Sequence, residues 1–160
     1  MTIIDGLLWF TMLGVGVMAG VYFTFSAFAM RALDAIGLPA GMEAMQSINR
    51  VIVRSVFLPL FFTTSVAAAV LAVVALLDLS QPGASFLLAG GASYVLGMFV
   101  VTVVGNVPLN NALETAAADS AEGEVMWRRY MKSWVAWNHV RTIACTLSMA
   151  LHVAALVARG

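Results

Sequence analysis

Four long stretches of the chain carry no Asp, Glu, Lys or Arg: residues 6–30, 55–77, 79–113 and 142–158. Each approaches or exceeds the roughly 20 apolar residues that a helix needs to cross hydrocarbon, so the pattern predicts four spanning helices. The third stretch is too long for one upright span, but Gln81, Pro82 and Gly83 mark a turn near its start and Pro108 interrupts it near its end. The fourth helix should begin well before its charge-free part. Asp119 and Ser120 suit an N-cap, and Glu122 and Glu124 follow where a first turn favours acids. The predicted helices run over about 3–30, 49–77, 85–107 and 120–158, in a single transmembrane domain covering 1–160. The fold class is all-α, an integral membrane four-helix bundle of up-down-up-down topology. Residues 34–47 and 111–121 read as ordinary connections. At 1.5 Å per residue the last helix is on the order of 55 Å long, so its first half must lie in cytosol and headgroups.

Composition strengthens this reading. Hydrophobic residues make up 62% of the 160 and charged residues only 10%, with a mean hydropathy of +0.96, whereas a soluble domain carries roughly a quarter charged residues. Eight Lys and Arg balance eight Asp and Glu, so no net field points to nucleic acid, and that partner is excluded. The single Cys145 rules out an intrachain disulfide framework and a Cys-rich metal site together. Ala27 and Ala29 form the small-x-small pattern of a signal-peptide cleavage site. The region before the apolar run, however, has Asp5 and no Lys or Arg, and the run is about twice a usual signal core, so the first helix is expected to stay and span.

Charge placement predicts orientation. Arg31, Arg50 and Arg54 flank the first connection and Arg128, Arg129, Lys132 and Arg141 the third, while the second has none and the C-terminus has only Arg159. By the positive-inside rule both long connections face the cytoplasm and both termini lie outside, in the plasma or inner membrane of a bacterial host.

Polar residues within or at the edge of a span are costly, so their grouping carries information. Tyr22 and Ser26 stand at i, i+4 at the end of the first helix, Asn49 at the start of the second, and Asn106 and Asn110 at i, i+4 at the end of the third. The fourth helix adds Trp134, Trp137, Asn138, His139 and Arg141. In an up-down bundle these four ends meet at one membrane face, toward the cytoplasm, and can line one cavity. At 100° per residue, Trp127, Tyr130, Trp134, Trp137, Cys145, Ser148 and His152 all fall within about 40° of Arg141, Asn138 lies about 60° away, and His139 about 160°. A straight helix therefore cannot aim His139 and Arg141 into one pocket.

Each of these has a plainer reading. Trp127 and Tyr130 suit an interfacial aromatic belt, Arg141 could snorkel to headgroups, the asparagines could glue helices together, and His152 suits a hydrogen-bonded core position. The methionines read mostly as apolar filling. Haem is a natural test. His139 and His152 lie about 20 Å and roughly 140° apart on one helix, so they cannot share an iron. Haem held by one axial ligand or shared across a dimer, or a metal, stays open. The familiar HExxH, paired CxxC, GxGxxG and P-loop patterns are absent.

Taken in order and spacing, Phe23–Ser26, Met45–Arg50, Asn106–Leu113 and Trp137–Thr142 resemble the motifs of the anthrone oxygenase-like family of small four-helix membrane proteins. The likeness covers nearly the whole chain. It implies a protein that binds a flat aromatic or phenolic molecule and promotes its oxidation by dioxygen without a tightly bound cofactor, and it carries over to Asn106, Asn110, Trp137, Asn138, His139 and Arg141. In that reading Arg141 stabilises an oxyanion, Trp134 and Trp137 sandwich the rings, and Asn106, Asn110 and Asn138 orient the oxygens. Tyr22, Ser26 and Asn49 complete the lining. His139 is the formal candidate base, given its ordinary pKa near neutrality, if a local bend brings it in. The alternative is a non-catalytic bundle, a small-molecule carrier or an assembly subunit. In that case Gly14, Gly16 and Gly20, with Ala89, Ser93 and Gly97, would pack against another chain, a homo-oligomer included.

Overall fold

The chain enters its first helix through a reciprocal cap. The Thr2 hydroxyl accepts from the Asp5 N–H at 3.2 Å while the Asp5 carboxylate accepts from the Thr2 N–H at 2.7 Å, which satisfies two backbone donors that an uncapped helix leaves open. The computed structural model describes residues 2–160, and no strand occurs among them. Five helices follow in order: α1 (Ile3–Ala35), α2 (Leu38–Ile52), α3 (Phe57–Leu77), α4 (Ala84–Glu114) and α5 (Ala121–Arg159). All but α2 are long and apolar enough to cross a membrane, and together they form a four-helix bundle compatible with an integral membrane protein.

Two corrections to the expected boundaries concern α2. Residues 34–47 were expected to be a connection and 49–77 one helix, yet α2 and α3 are separate, joined by a turn at residues 53–56. Ser55 makes the break: its hydroxyl donates to the Ile52 carbonyl at 2.8 Å and accepts from the Phe57 N–H at 3.2 Å. Pro59 then sits in the first turn of α3, where its missing N–H costs no intrahelical bond. At its other end α2 starts after Gly37, which has φ +95°, a conformation open to glycine. Helix α2 is amphipathic. Its Met42 and Met45 are buried with Met30, Leu109, Leu113, Trp127, Tyr130 and Trp134, so it covers one end of the bundle.

The third span also runs further than expected, through Pro108 to Glu114. A π-helical turn at Thr102–Asn106 directly precedes that proline. Such a turn widens the helix by one residue, which relieves the clash of the proline ring with the carbonyl four residues back. Further π turns lie at Val95–Val100 and at Phe25–Ala29 in α1.

The opposite end holds both termini and the turn between α3 and α4. Arg159 reaches Asp5 at 3.3 Å, tying α5 to α1. In the turn, the Asp78 carboxylate accepts from the Ser80 hydroxyl at 2.6 Å and the Gln81 amide at 2.8 Å, which hold its carboxyl below the usual carboxylate range. Gly83 has φ +78° and a Cβ there would stand 2.7 Å from the Ala155 carbonyl oxygen, so both backbone and space demand glycine.

Four of the six small residues on the expected packing faces are used inside the bundle. A Cβ on Gly14 would run into Thr64, one on Gly97 into Ala144, and one on Gly16 would touch the Met149 sulfur at 3.2 Å, while Ser93 donates to the Ala144 carbonyl at 3.1 Å. Close approach of α1 to α3 and α5, and of α4 to α5, accounts for these four residues, whereas Gly20 has nothing within 4 Å and Ala89 is exposed.

Candidate functional site

The long helix α5 sets the site. Ser120 caps it by accepting from the Gly123 N–H at 2.9 Å. Its buried face then repeats every three or four residues through Trp127, Tyr130, Trp134, Asn138, Arg141, Cys145, Ser148 and His152. This is the anticipated stripe with two changes. Asn138 is fully buried at its centre rather than at its edge. Trp137 is 41% exposed and lies outside, flat against Gly105, where an added Cβ would stand 2.8 Å from its ring.

Trp127 and Tyr130 are not belt residues, because α2 covers them. They are buried and stacked in a column with Trp134, with centroids 6.1 and 5.4 Å apart. The Trp127 indole donates to the Asp34 carboxylate at 2.8 Å, and both the Tyr130 hydroxyl and the Trp134 indole donate to Asn110 Oδ1, at 2.7 and 2.8 Å. The polar tips are thus satisfied inside the protein, which is what permits their burial.

Arg141 does not snorkel. It is only 5% exposed, with its guanidinium 4.2 Å from the Tyr22 ring centroid and 5.1 Å from that of Trp134. Its Nη2 donates to Asn138 Oδ1 at 2.7 Å and its Nη1 to Thr102 Oγ1 at 3.4 Å. Among the described residues no carboxylate pairs with it, and its Nε has no hydrogen-bond partner.

The surrounding polar groups hold this cation in place. Asn138 Nδ2 donates to the Tyr22 carbonyl and to the Ser26 hydroxyl, both at 2.8 Å, so its oxygen is turned toward Arg141. Because Thr142 donates to the Asn138 carbonyl at 2.9 Å, Ser26 must be the donor in its 3.0 Å contact with Thr142. Likewise Thr102 donates to the Met98 carbonyl at 2.7 Å and keeps its lone pairs for Arg141. The π turns of α1 and α4 fall at these positions, where a loosened ladder lets side chains reach backbone carbonyls.

A cavity of about 80 Å³ opens beside the guanidinium. Tyr22, Asn110, Trp134 and Arg141 line it, together with Phe25, Phe57 and Thr102. Around it sit three buried polar atoms without partners, on three different helices: Asn49 Nδ2, Asn106 Oδ1 and Arg141 Nε. Asn106 uses its Nδ2 to bond the Trp134 carbonyl at 3.2 Å. Two further such atoms, His152 Nε2 and Arg159 Nε, lie elsewhere; unpaired buried polar atoms are rare in finished cores, and the three on α2, α4 and α5 single out this end of the bundle as the candidate site.

Of the ten residues anticipated from sequence, four line the cavity. Asn49 lines an adjoining cleft, while Ser26, Asn106 and Asn138 stand behind the lining. Trp137 and His139 are not brought in. His139 is exposed, and α5 is regular α-helix throughout, so no bend turns it inward. Thr102 and the phenylalanines went unanticipated; the i, i+4 spacing of Thr102 and Asn106 was the available signal. Deeper on the same face, His152 is fully buried with Nδ1 2.7 Å from the Ser148 carbonyl, and Ser148 donates to the Gly90 carbonyl at 2.8 Å, as suits a core histidine. No three His, Cys, Asp or Glu side chains gather as metal ligands among the described residues.

A membrane-type helical bundle with an aromatic-walled cavity around one buried cation is the class that fold and site define. The chain belongs to the anthrone oxygenase family, whose model matches residues 49–151. That span includes α5 as far as Arg141 and beyond, and the three asparagines of α4, Asn106, Asn110 and Asn111. No curated protein and no solved structure shows a significant match to the chain.

Proposed function

We propose that this protein binds a flat aromatic or phenolic molecule as its anion beside Arg141 and promotes its oxidation by dioxygen, without a tightly bound cofactor. The observation that carries the reading is the unpaired charge of Arg141. Removing an ion from water costs several kcal/mol even after relaxation. Two aromatic faces and two neutral acceptors offset part of that cost but bring no countercharge. An oxyanion at the free Nε would complete the balance.

The chemistry follows from holding that anion. An anthrone deprotonated at its methylene is an electron-rich carbanion with its charge shared through the rings onto the ketone oxygen, which becomes the oxyanion. Transfer of an electron to dioxygen and recombination give a peroxide anion at that carbon. Loss of hydroxide then leaves a carbonyl, so one oxygen atom enters the product and the other leaves as hydroxide, which takes up the proton lost at the start. Arg141 favours the anion, Trp134 offers a ring face, and Asn110 keeps Nδ2 to donate, since its oxygen already accepts twice. The lining contains no carboxylate and no histidine. The proton therefore leaves to water or before binding, and His139 has no part in removing it.

Oxygen uptake tests the reading. Purified protein in detergent should accelerate consumption of oxygen by an added anthrone, and Arg141→Gln should lower that acceleration at least tenfold. Equal rates with and without protein would overturn it.

A further inference from the structure

The cavity beside Arg141 is too small for the ligand it serves. At about 80 Å³ it falls short of the ~150 Å³ that a single benzene ring occupies in a dry protein cavity. A second space lies next to it. A cleft of about 260 Å³ between α2 and the end of α4 is lined by Asn49, Arg50, Asn111 and Glu114, and it shares Asn110 with the inner cavity. Neither space alone reaches the size of a small-molecule site, roughly 300 Å³ at the low end, and the two together do.

Their chemistry differs in a way that orients an occupant. The inner cavity holds one unpaired cation and no acid. The cleft is neutral, because Arg50 and Glu114 pair with each other at 2.7 Å. What the cleft offers is donors: Asn49, one of its lining residues, has a buried Nδ2 without a partner, and Asn110, which lines both spaces, has its oxygen occupied by Tyr130 and Trp134 and its nitrogen unclaimed by any protein acceptor among the described residues.

We infer that one ligand occupies both spaces, and that it is an elongated planar molecule with an oxyanion at one end, seated at Arg141, and a neutral acceptor oxygen at the other, seated at Asn49. This rests on the anion-binding reading given above and adds the distal subsite, the length and the polarity of the ligand. Asn49 is the specificity residue, and Asn110 is the threshold between the two ends.

Redox-inert probes separate this inference from the oxidation chemistry. Benzoate, 2-naphthoate and 6-hydroxy-2-naphthoate share an oxyanion head, and only the last carries an oxygen at the far end. Titrated by calorimetry against the protein in detergent, 6-hydroxy-2-naphthoate should bind about tenfold more tightly than 2-naphthoate, the worth of one hydrogen bond to an otherwise unpaired buried donor. Asn49→Leu should erase that difference, and an unchanged thermal melt in the same detergent shows that the variant is folded. Arg141→Gln should weaken all three. No preference for the hydroxylated probe in the wild type, equal loss of both naphthoates in Asn49→Leu, or no binding of any probe would each overturn the inference. A failed oxygen-uptake assay with these binding results intact would sink the oxidation and spare the site.

Discussion

Arg141 is an arginine where packing alone would place methionine or leucine. Its partners are Asn138, Thr102 and two aromatic rings, none of them an acid. Such a charge weakens the empty fold, because buried ions replaced by apolar groups of similar size leave stability unchanged or raise it by about 1–4 kcal/mol. The opposing term is Asn138 Oδ1, which loses its donor and costs about 1–3 kcal/mol. Arg141→Met should therefore keep the thermal midpoint of the ligand-free protein within a few °C of the wild type or raise it, while anion binding and oxygen uptake disappear. A fall of more than about 10 °C, equivalent to several kcal/mol in a chain this long, would mean that the arginine holds the bundle together instead.

Helices meet closely here through small residues, and the same residue type does opposite things at different places. Gly91 lies where α4 crosses α3. An added Cβ would drive into the Ala68 backbone carbonyl and stand 2.7 Å from the Ala72 methyl, and neither can swing away. Gly20 faces outward on α1 with nothing within 4 Å. Gly91→Val should cost about 1–3 kcal/mol or more through overpacking, whereas Gly20→Ala should stabilise α1 by about 0.5–1 kcal/mol by removing backbone freedom from the unfolded chain. Thermal melts in one detergent decide both. A neutral Gly91→Val would show that α3 and α4 can slide apart at modest cost.

For the molecule as a whole, the end that carries α2 and the cavity is opposite the end that carries both termini. We propose that the cavity end faces the cytoplasm, because seven of the eight Lys and Arg flank the connections at that end. Substrate would then arrive from the cytosol or the inner leaflet. In a Cys145→Ala background, a cysteine at exposed Thr115 should be shielded from an impermeant thiol reagent in intact cells, and one at exposed Gln81 should react. Thr115 is preferable to Ser120, whose hydroxyl caps α5. The reverse labelling pattern would place the cavity on the outer face.

Span number, helical class and the polar stripe of α5 were written in the sequence, because each depends on a local periodicity: long charge-free runs for the spans, and a three-and-four spacing for the buried face. The family motifs fall on α1, α2, α4 and α5 and not on the ends of the four spans: Trp137–Thr142 lies midway along α5 and Met45–Arg50 on the covering helix α2. What local spacing could not decide was which polar residue meets which. Trp137 and Trp134 are three residues apart and share a face within about 60°, yet only Trp134 lines the cavity, since Gly105 lets α4 close over Trp137 on the outer side. Trp127 and Tyr130 looked like membrane-interface anchors until α2, read as a loop, proved to be a helix laid over them. The pairing of Arg141 with two rings, an amide and a hydroxyl instead of a carboxylate brings together residues from three helices up to 119 positions apart. A helix's own period says where its side chains point, but only the packing of its neighbours determines which of them find a partner and which are left with a free hydrogen bond.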